Sequence, residues 1–185
     1  AIVVMEDAKK NPLEIRYGKL GNLKDLSLDI YADASFGGVD KGLKSTEGFI
    51  ILLRGENDKC SPISWKSKII TRVCKSAKSA ETVALENAMD SAIGIGRQLR
   101  QIQTGSVHEK PAPIHAFTDS ASLVESIRST KQVDEGSMRL HVERIKDHLQ
   151  SQNIETVTWT STDRMLADPL TKIKADTTNL ITVLR

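Results

Sequence analysis

The sequence predicts an α/β fold in which a mixed five-stranded sheet carries helices on both faces. Near the N-terminal end, three apolar segments typical of strands follow one another, a pattern that favours antiparallel pairing. Further along the chain, helical segments separate two more strands, and strands joined through a helix are normally parallel. We therefore expect the element order βββαβααβα, with three antiparallel strands followed by two parallel ones.

The first three strands are predicted from side-chain alternation and from turn residues. Residues 26–33 alternate apolar and polar side chains, which is the period of a strand with two different faces. GFIILLRG at 48–55 and SPISWKS at 61–67 are two further apolar segments, and the turn-forming residues Asn57 and Asp58 lie between them. Short loops between consecutive strands favour an antiparallel meander.

A long amphipathic helix is predicted at about residues 79–102, where apolar side chains recur at steps of three and four. Gly94 and Gly96 oppose a helix here, each by roughly 1 kcal/mol relative to alanine. The remaining elements are predicted as a strand at 113–118, a short helix containing Leu123, Val124 and Ile127, a helix at 138–150, a strand at 154–160 and a helical segment at about 163–173.

Length and composition are those of one globular domain with flanking segments. The chain has 185 residues, of which 39% are hydrophobic and 27% charged, and a domain usually has roughly 100–200 residues. We assign residues 1–25 to a lead-in segment packed on the domain, 26–173 to the domain and 174–185 to a C-terminal tail. The net charge of +2 is too small to indicate a polyanionic partner by itself.

The sequence contains no signal for a membrane or for secretion. No apolar run approaches the ~20 residues that a membrane helix requires, and the first residues lack the pattern of a secretory signal. The two cysteines, Cys60 and Cys74, fit neither a disulfide framework nor a metal-binding knuckle. An intracellular, reducing location is therefore expected.

Four acidic residues occupy positions that need an explanation. Asp33 lies inside a predicted strand, and Asp119 ends another. Glu81 lies on the core-facing stripe of the long helix, and Asp168 precedes Pro169. A helix dipole, or a cap closed with a nearby serine, would explain Glu81. Helix N-caps would explain Asp119 and Asp168. A strand face beside solvent would tolerate Asp33, so a structural explanation stays open for each residue taken alone.

Taken together, the four carboxylates indicate a metal centre. They would meet at one edge of the sheet if the first strand lies beside the parallel fourth strand. Such a group cannot stay ionised without cations. Hard oxygen ligands select Mg²⁺ or Mn²⁺, and a pair of such ions supports in-line attack of water on a phosphodiester.

The segment from Lys59 to Lys78 carries basic residues and no acidic ones. Lysines often protect the exposed edge of a sheet. A surface that contacts phosphates would have the same composition, and both interpretations stay open.

Four short motifs carry a family resemblance. YADAS, SAETVAL, FTDSASL and LADPLTK, at 31–35, 79–85, 117–123 and 166–172, resemble in order the four acidic motifs of ribonuclease H domains. The resemblance implies a ribonuclease H-like fold. It also implies that the four acidic residues named above, Asp33, Glu81, Asp119 and Asp168, take the catalytic, metal-ligand positions.

A closer resemblance is to the ribonuclease H domain at the end of copia-type LTR retrotransposon polyproteins. ISWKSK at 63–68, RVCKSAKSAET at 72–82 and RLHVERIK at 139–146 are similar to segments of that family. The likeness runs over about residues 13–172, which is nearly the whole chain.

The resemblance implies an endoribonuclease that hydrolyses the RNA strand of RNA–DNA hybrids with two Mg²⁺ or Mn²⁺ ions per site. Asp33 and Asp119 would bridge both ions. Glu81 would hold one ion, and Asp168 would complete the other. The implied partners are the hybrid and an upstream reverse transcriptase domain of the same polyprotein, with no membrane. The implied location is the cytoplasm, including the interior of virus-like particles, and a nuclear location stays open.

The resemblance also implies which side chains touch the hybrid, with basic groups on phosphates and polar groups on 2′-hydroxyls. These candidates are Ser35, Trp65, Ser67, Lys68, Arg72, Ser79 and Ser122. Two features depart from cellular ribonucleases H. Ala34 follows the first aspartate where those enzymes have glycine, and no histidine follows His148 to supply their mobile histidine loop.

Two other functions compete with this hypothesis. A domesticated or catalytically weak domain would keep the fold for binding nucleic acid or protein. An integrase or transposase core of the same superfamily would use three acids on double-stranded DNA. The complete set of four acidic residues argues against a decayed domain. The matching Glu81 in the first long helix favours the ribonuclease over the integrase.

Overall fold

The computed structural model of this chain describes residue 15 and residues 17–39, 44–131, 136–172 and 175–184. Within these residues the predicted element order is confirmed, with one short helix added at the C-terminal end. The elements are β1 Ser27–Val39, β2 Lys44–Arg54, β3 Cys60–Ile69, α1 Ala77–Thr104, β4 Ile114–Thr118, α2 Ala121–Arg128, α3 Gly136–Gln150, β5 Thr156–Trp159, α4 Asp168–Thr171 and α5 Thr178–Leu184.

In the described part of the chain, five strands form one sheet in the order β3-β2-β1-β4-β5. β2 pairs antiparallel with both β1 and β3. β4 pairs parallel with both β1 and β5. The predicted arrangement of three antiparallel and two parallel strands is therefore confirmed, and β1 lies beside β4 at the centre of the sheet.

The two faces of the sheet carry different helices. On β1, Leu28, Ile30 and Ala32 face the main core, which α1, α2 and α3 complete, and each is at most 1% exposed. A smaller cluster on the opposite face includes Leu170 of α4 and Leu180 of α5. The alternation of β1 thus places one set of side chains under the long helices and the other set under the C-terminal segment.

The segment predicted as one helix at about 163–173 is divided into two pieces. A 3-10 turn spans Thr162–Arg164, and α4 has only four residues. Between them, Met165, Leu166 and Ala167 are all buried. Because three consecutive side chains point around a helix rather than along one face, a continuous helix on the sheet would expose one of them. The chain instead takes an extended conformation at Met165.

The ends of α1 are set by local hydrogen bonds. At its N-terminus, Ser76 and Ser79 form a capping box in which each side chain accepts the other's backbone N–H at 3.1 Å. At its C-terminus, Gly105 takes a left-handed conformation with φ of 76° and donates to the Gln101 carbonyl.

None of the helices in the described part of the chain combines the length and the apolar character needed to cross a membrane.

The two glycines of α1 have different surroundings. Gly94 faces open space, with no atom within 4 Å of a Cβ built on it. The carbonyl of Gly96 accepts the backbone N–H of Ala112 at 3.0 Å. A Cβ on Gly96 would lie 3.0 Å from side-chain atoms of both Ile114 and Pro111. The second glycine therefore permits close approach of the segment that enters β4.

We expect Gly94→Ala to raise the free energy of unfolding by roughly 0.5–1 kcal/mol, because alanine loses less backbone entropy in a helix. Gly96→Ala has the same helical advantage, but its methyl group must displace Pro111 and the buried Ile114. Urea denaturation should therefore rank Gly94→Ala as the more stable variant. Equal stabilisation by both substitutions would contradict the close contact at Gly96.

Candidate active site

Asp33 and Asp119 lie side by side at the edge of the sheet where β4 ends. Tyr31 of β1 and Phe117 of β4 are paired in the parallel register, and each aspartate follows its aromatic neighbour by two residues. The two rings stack on the same face, with their centroids 4.7 Å apart. Asp33 also pairs with Gly48 of β2 and is 1% exposed. The register of two parallel strands thus brings the two carboxylates together.

Glu81 reaches the same place from the first turns of α1. Its Oε1 accepts the backbone N–H of Ala34 at 3.2 Å. Asp33, Glu81 and Asp119 each offer one carboxylate oxygen, and these three oxygens lie within 4.8 Å of one another. The structure therefore brings together three of the four acidic residues that the sequence singles out.

Asp168 lies beside this group, at the start of α4. The ammonium of Lys172, one turn later, is hydrogen-bonded to the Asp168 carboxylate. The same nitrogen lies 3.7 Å from Oδ2 of Asp33. Lys172 therefore connects Asp168 to the other acidic residues.

Close packing on β2 and β3 holds α4 in this position. A Cβ built on Gly48 would lie 2.7 Å from Cγ2 of Thr171 and 2.8 Å from Cβ of Leu170. The hydroxyl of Ser67 donates to the carbonyl of Leu170 at 2.5 Å. Only a residue without a side chain at position 48 allows α4 to approach the sheet this closely.

Two threonines and a tryptophan orient the central aspartates. Thr171 donates its hydroxyl to Oδ2 of Asp33. Thr162 donates to Oδ2 of Asp119 at 2.9 Å, and the indole N–H of Trp159 donates to the Asp119 carbonyl at 3.0 Å. The sequence does not single out these three side chains, although Thr171 lies within the LADPLTK motif.

Two carboxylate oxygens of the site are buried without a hydrogen-bond partner: Oδ1 of Asp33 and Oε2 of Glu81. A buried polar atom without a partner is costly, and a bound cation would remove that cost. The donors are all carboxylate oxygens, which suit Mg²⁺ or Mn²⁺. The residues present therefore fit a divalent-metal centre.

The proximity of these acids changes their protonation. Burial, and then the nearby Asp33 and Asp119, raise the pKa of Glu81 to about 9. Burial also raises the pKa of Asp33, against the opposing effects of the Thr171 hydrogen bond and the Lys172 charge. Without a cation, the site therefore keeps a proton on Glu81 at neutral pH.

The candidates for contact with nucleic acid on β3 divide between the two faces of this edge strand. Trp65 is 53% exposed and Ser67 touches α4, so both lie on the face of the C-terminal segment. Lys68 lies on the other face, where its ammonium is 3.2 Å from Oε1 of the buried Glu47. Arg72 is exposed and, with Lys68, lines a groove of about 370 Å³ beside α1.

The three serine candidates have different surroundings. Ser35 is half-buried on β1, two residues beyond Asp33. Ser79 is buried, and its hydroxyl takes part in the α1 capping box. Ser122 is exposed on the first turn of α2, close in sequence to Asp119. Ser35 and Ser122 thus follow Asp33 and Asp119 closely along the chain.

Solved structures that are similar to this chain include two RNase H1 enzymes and a viral reverse transcriptase. The RNase H1 of the halophilic archaeon Halobacterium salinarum has a TM-score of 0.54 at 16% identity, covering 78% of this chain and 93% of the other. LC11-RNase H1 in complex with an RNA/DNA hybrid has a TM-score of 0.55 at 16% identity, covering 77% and 92%. The prototype foamy virus protease-reverse transcriptase has a TM-score of 0.50 at 16% identity, covering 85% of this chain and 22% of the viral one.

These similarities show the ribonuclease H fold. No protein-family model matches the chain. A search of curated proteins gave no match either.

We expect the metal-free protein to lose stability as the pH rises from about 5 to about 9. Unfolded Glu81 ionises near its ordinary pKa of 4.5, whereas folded Glu81 keeps its proton up to about pH 9. Between these values the folded state binds more protons, so raising the pH favours unfolding. Asp33, whose pKa is also raised, contributes in the same direction.

In Glu81→Gln, the loss in the free energy of unfolding between about pH 5 and about pH 9 should be smaller by at least about 1 kcal/mol. The reason is that the amide imitates the protonated acid at every pH. Urea denaturation in the presence of a chelator measures the effect. Glu155→Gln, at an exposed glutamate, should keep the wild-type slope. Equal slopes for the wild type and Glu81→Gln would contradict the assigned protonation.

Proposed function

We propose that this chain is a metal-dependent ribonuclease H that hydrolyses the RNA strand of RNA–DNA hybrids. The observation that carries the proposal is the convergence of Asp33, Glu81 and Asp119, with oxygens within 4.8 Å of one another, on a ribonuclease H fold. A structural neighbour with this fold is bound to an RNA/DNA hybrid. The acidic site and the fold support the same chemistry.

In this proposal Asp33, Glu81, Asp119 and Asp168 hold two Mg²⁺ or Mn²⁺ ions. Bound there, the ions would activate water and stabilise the charge that develops on the phosphate. The buried, unpartnered oxygens of Asp33 and Glu81 support this assignment, since each retains the capacity to bind a cation.

The surrounding side chains would keep the carboxylates in one geometry. The hydroxyls of Thr171 and Thr162 each occupy one oxygen of an aspartate, which fixes the rotation of Asp33 and Asp119. Trp159 restrains the backbone at Asp119. A preorganised acidic site loses less entropy when it binds ions and substrate.

The hybrid would lie across this edge of the sheet. We assign phosphate contacts to Lys68 and Arg72. We assign contacts with sugars and 2′-hydroxyls to Ser35 and Ser122, with Trp65 as an exposed surface for stacking. Ser79 is excluded because it is buried in the cap of α1. Ser35 and Ser122 follow Asp33 and Asp119 by two and three residues, which supports a path of the RNA strand over the site.

We further propose that the chain belongs to the reverse transcription machinery of a copia-type retrotransposon. The motif resemblance supports this origin, and so does the similarity to a viral protease-reverse transcriptase. The partner would be an upstream reverse transcriptase domain of the same polyprotein. Hydrolysis of the hybrid during reverse transcription would then take place in the cytoplasm, in or near virus-like particles.

The wild-type protein should cleave a labelled RNA strand paired with DNA in the presence of Mg²⁺. Asp119→Asn should lower the rate by at least about 100-fold, because a ligand of the reacting centre loses its charge. Asp147→Asn, which changes an exposed aspartate of α3, serves as the matched control and should keep full activity. Circular dichroism would verify that each variant is folded.

The result distinguishes three classes of function. Equal activity of the wild type and Asp119→Asn would remove the enzyme proposal. Binding of the hybrid without cleavage would favour a domesticated binding module. Cleavage of double-stranded DNA at the same rate as the hybrid would favour an integrase-like or transposase-like function.

The phosphate assignment of Arg72 is tested by binding in the inactive Asp119→Asn background. Arg72→Ala should weaken binding of the hybrid and reduce the slope of log K against log salt by about 1, because one phosphate contact is lost. Arg97→Ala removes an exposed charge from the distant end of α1 and should leave the slope unchanged. Identical slopes for all three proteins would reject the contact.

A further inference from the structure

Lys172 projects from the end of α4 back into the acidic site. Its ammonium is hydrogen-bonded to Asp168 and lies 3.7 Å from Oδ2 of Asp33. Asp33 is 1% exposed, whereas the Lys172 side chain is 41% exposed. The lysine therefore reaches a buried carboxylate while keeping one side open to solvent.

The acidic site is unevenly neutralised. Of the described residues, Lys172 is the cation that forms ion pairs with Asp33 and Asp168. No described lysine, arginine or histidine lies within 4 Å of a carboxylate oxygen of Glu81 or Asp119. Among the described residues, a positive charge thus forms ion pairs in one half of the site, and none lies within ion-pair distance of the acids of the other half.

An ion pair between residues one helical turn apart is common on protein surfaces and contributes little to stability. One observation separates Lys172 from that case. The ammonium also approaches Asp33 in the sheet, which no surface helix pair requires.

We propose that Lys172 is a tethered cation that occupies the half of the site formed by Asp33 and Asp168 and competes with a divalent ion for it. This inference rests on the metal centre of the proposed function. It implies that the acidic residues bind two ions unequally. Binding at Glu81 and Asp119 breaks no ion pair with a described residue, whereas binding between Asp33 and Asp168 requires the lysine to leave.

The surroundings of Lys172 allow such a movement. The backbone of α4 is held by its close contacts with Gly48 and by the Ser67 hydrogen bond to Leu170. The flexible side chain of Lys172, in contrast, is open to solvent on one side. The ammonium can therefore swing out while the carboxylate of Asp168 stays in place.

The test is a titration of the protein with Mn²⁺ alone, without nucleic acid, in which calorimetry measures binding at one fixed pH. Wild-type protein should bind one ion tightly and a second more weakly. Lys172→Met should tighten the second step by about fivefold or more, because the competing charge is gone. Lys172→Arg keeps the charge and should resemble the wild type. Lys59→Met removes an exposed charge outside the site and controls for the change in net charge.

A second comparison keeps the test valid if Lys172→Met does not fold. Lys172→Gln should then show the same tightening. In an Asp168→Asn background, loss of the lysine should have no further effect, since the half-site itself is gone.

The outcomes separate this inference from the proposed function. If the wild type binds Mn²⁺ and Lys172→Met gives the same two steps, the tethered cation is rejected and the metal centre stands. Tightening by Lys172→Arg as large as that by Lys172→Met would also reject it. If the wild type binds no Mn²⁺, both the inference and the proposed metal centre are rejected.

Discussion

The concentration of negative charge at one edge of the sheet is the constraint on which the rest of the structure depends. Asp33 is almost wholly buried, and its neighbours Glu81 and Asp119 lie within a few ångströms. Such a group is tolerable only when protons or cations balance the charge. The high pKa of Glu81 and the inward reach of Lys172 are two ways in which the chain achieves this balance by itself.

Packing in the apolar cores stabilises the fold and offsets the cost of this unfavourable site. A continuous apolar core lies between the sheet and α1, α2 and α3, and a smaller one lies under α4 and α5. Each acidic residue is attached to an element anchored in one of these cores. β1 and β4 carry the aspartates, the capped α1 carries Glu81, and α4, pressed against Gly48, carries Asp168. The electrostatic cost of gathering these charges is thus opposed by the packing of four different elements.

The prediction from sequence succeeded where local patterns decide the structure. Strand alternation and the three-and-four apolar repeat were enough for the element order, and the crossover rule was enough for the mixed sheet. They were not enough for the segment after β5, where buried Met165 and Leu166 interrupt the helix. Strand alternation does place Trp65 and Lys68 on opposite faces of β3, but only the packing of α4 shows which of the two faces lies toward the C-terminal segment.

The sequence by itself determined the fold class and the element order and predicted four acidic site residues, because these follow from periodicity and motif order along the chain. Only the tertiary structure decided which side chains form hydrogen bonds or ion pairs with those acids. Thr162, Thr171 and Lys172 acquire their contacts from the register of β1 with β4 and from the close docking of α4 on β2. Such contacts join residues far apart in the chain, and no local pattern of side chains encodes a distance across the sheet.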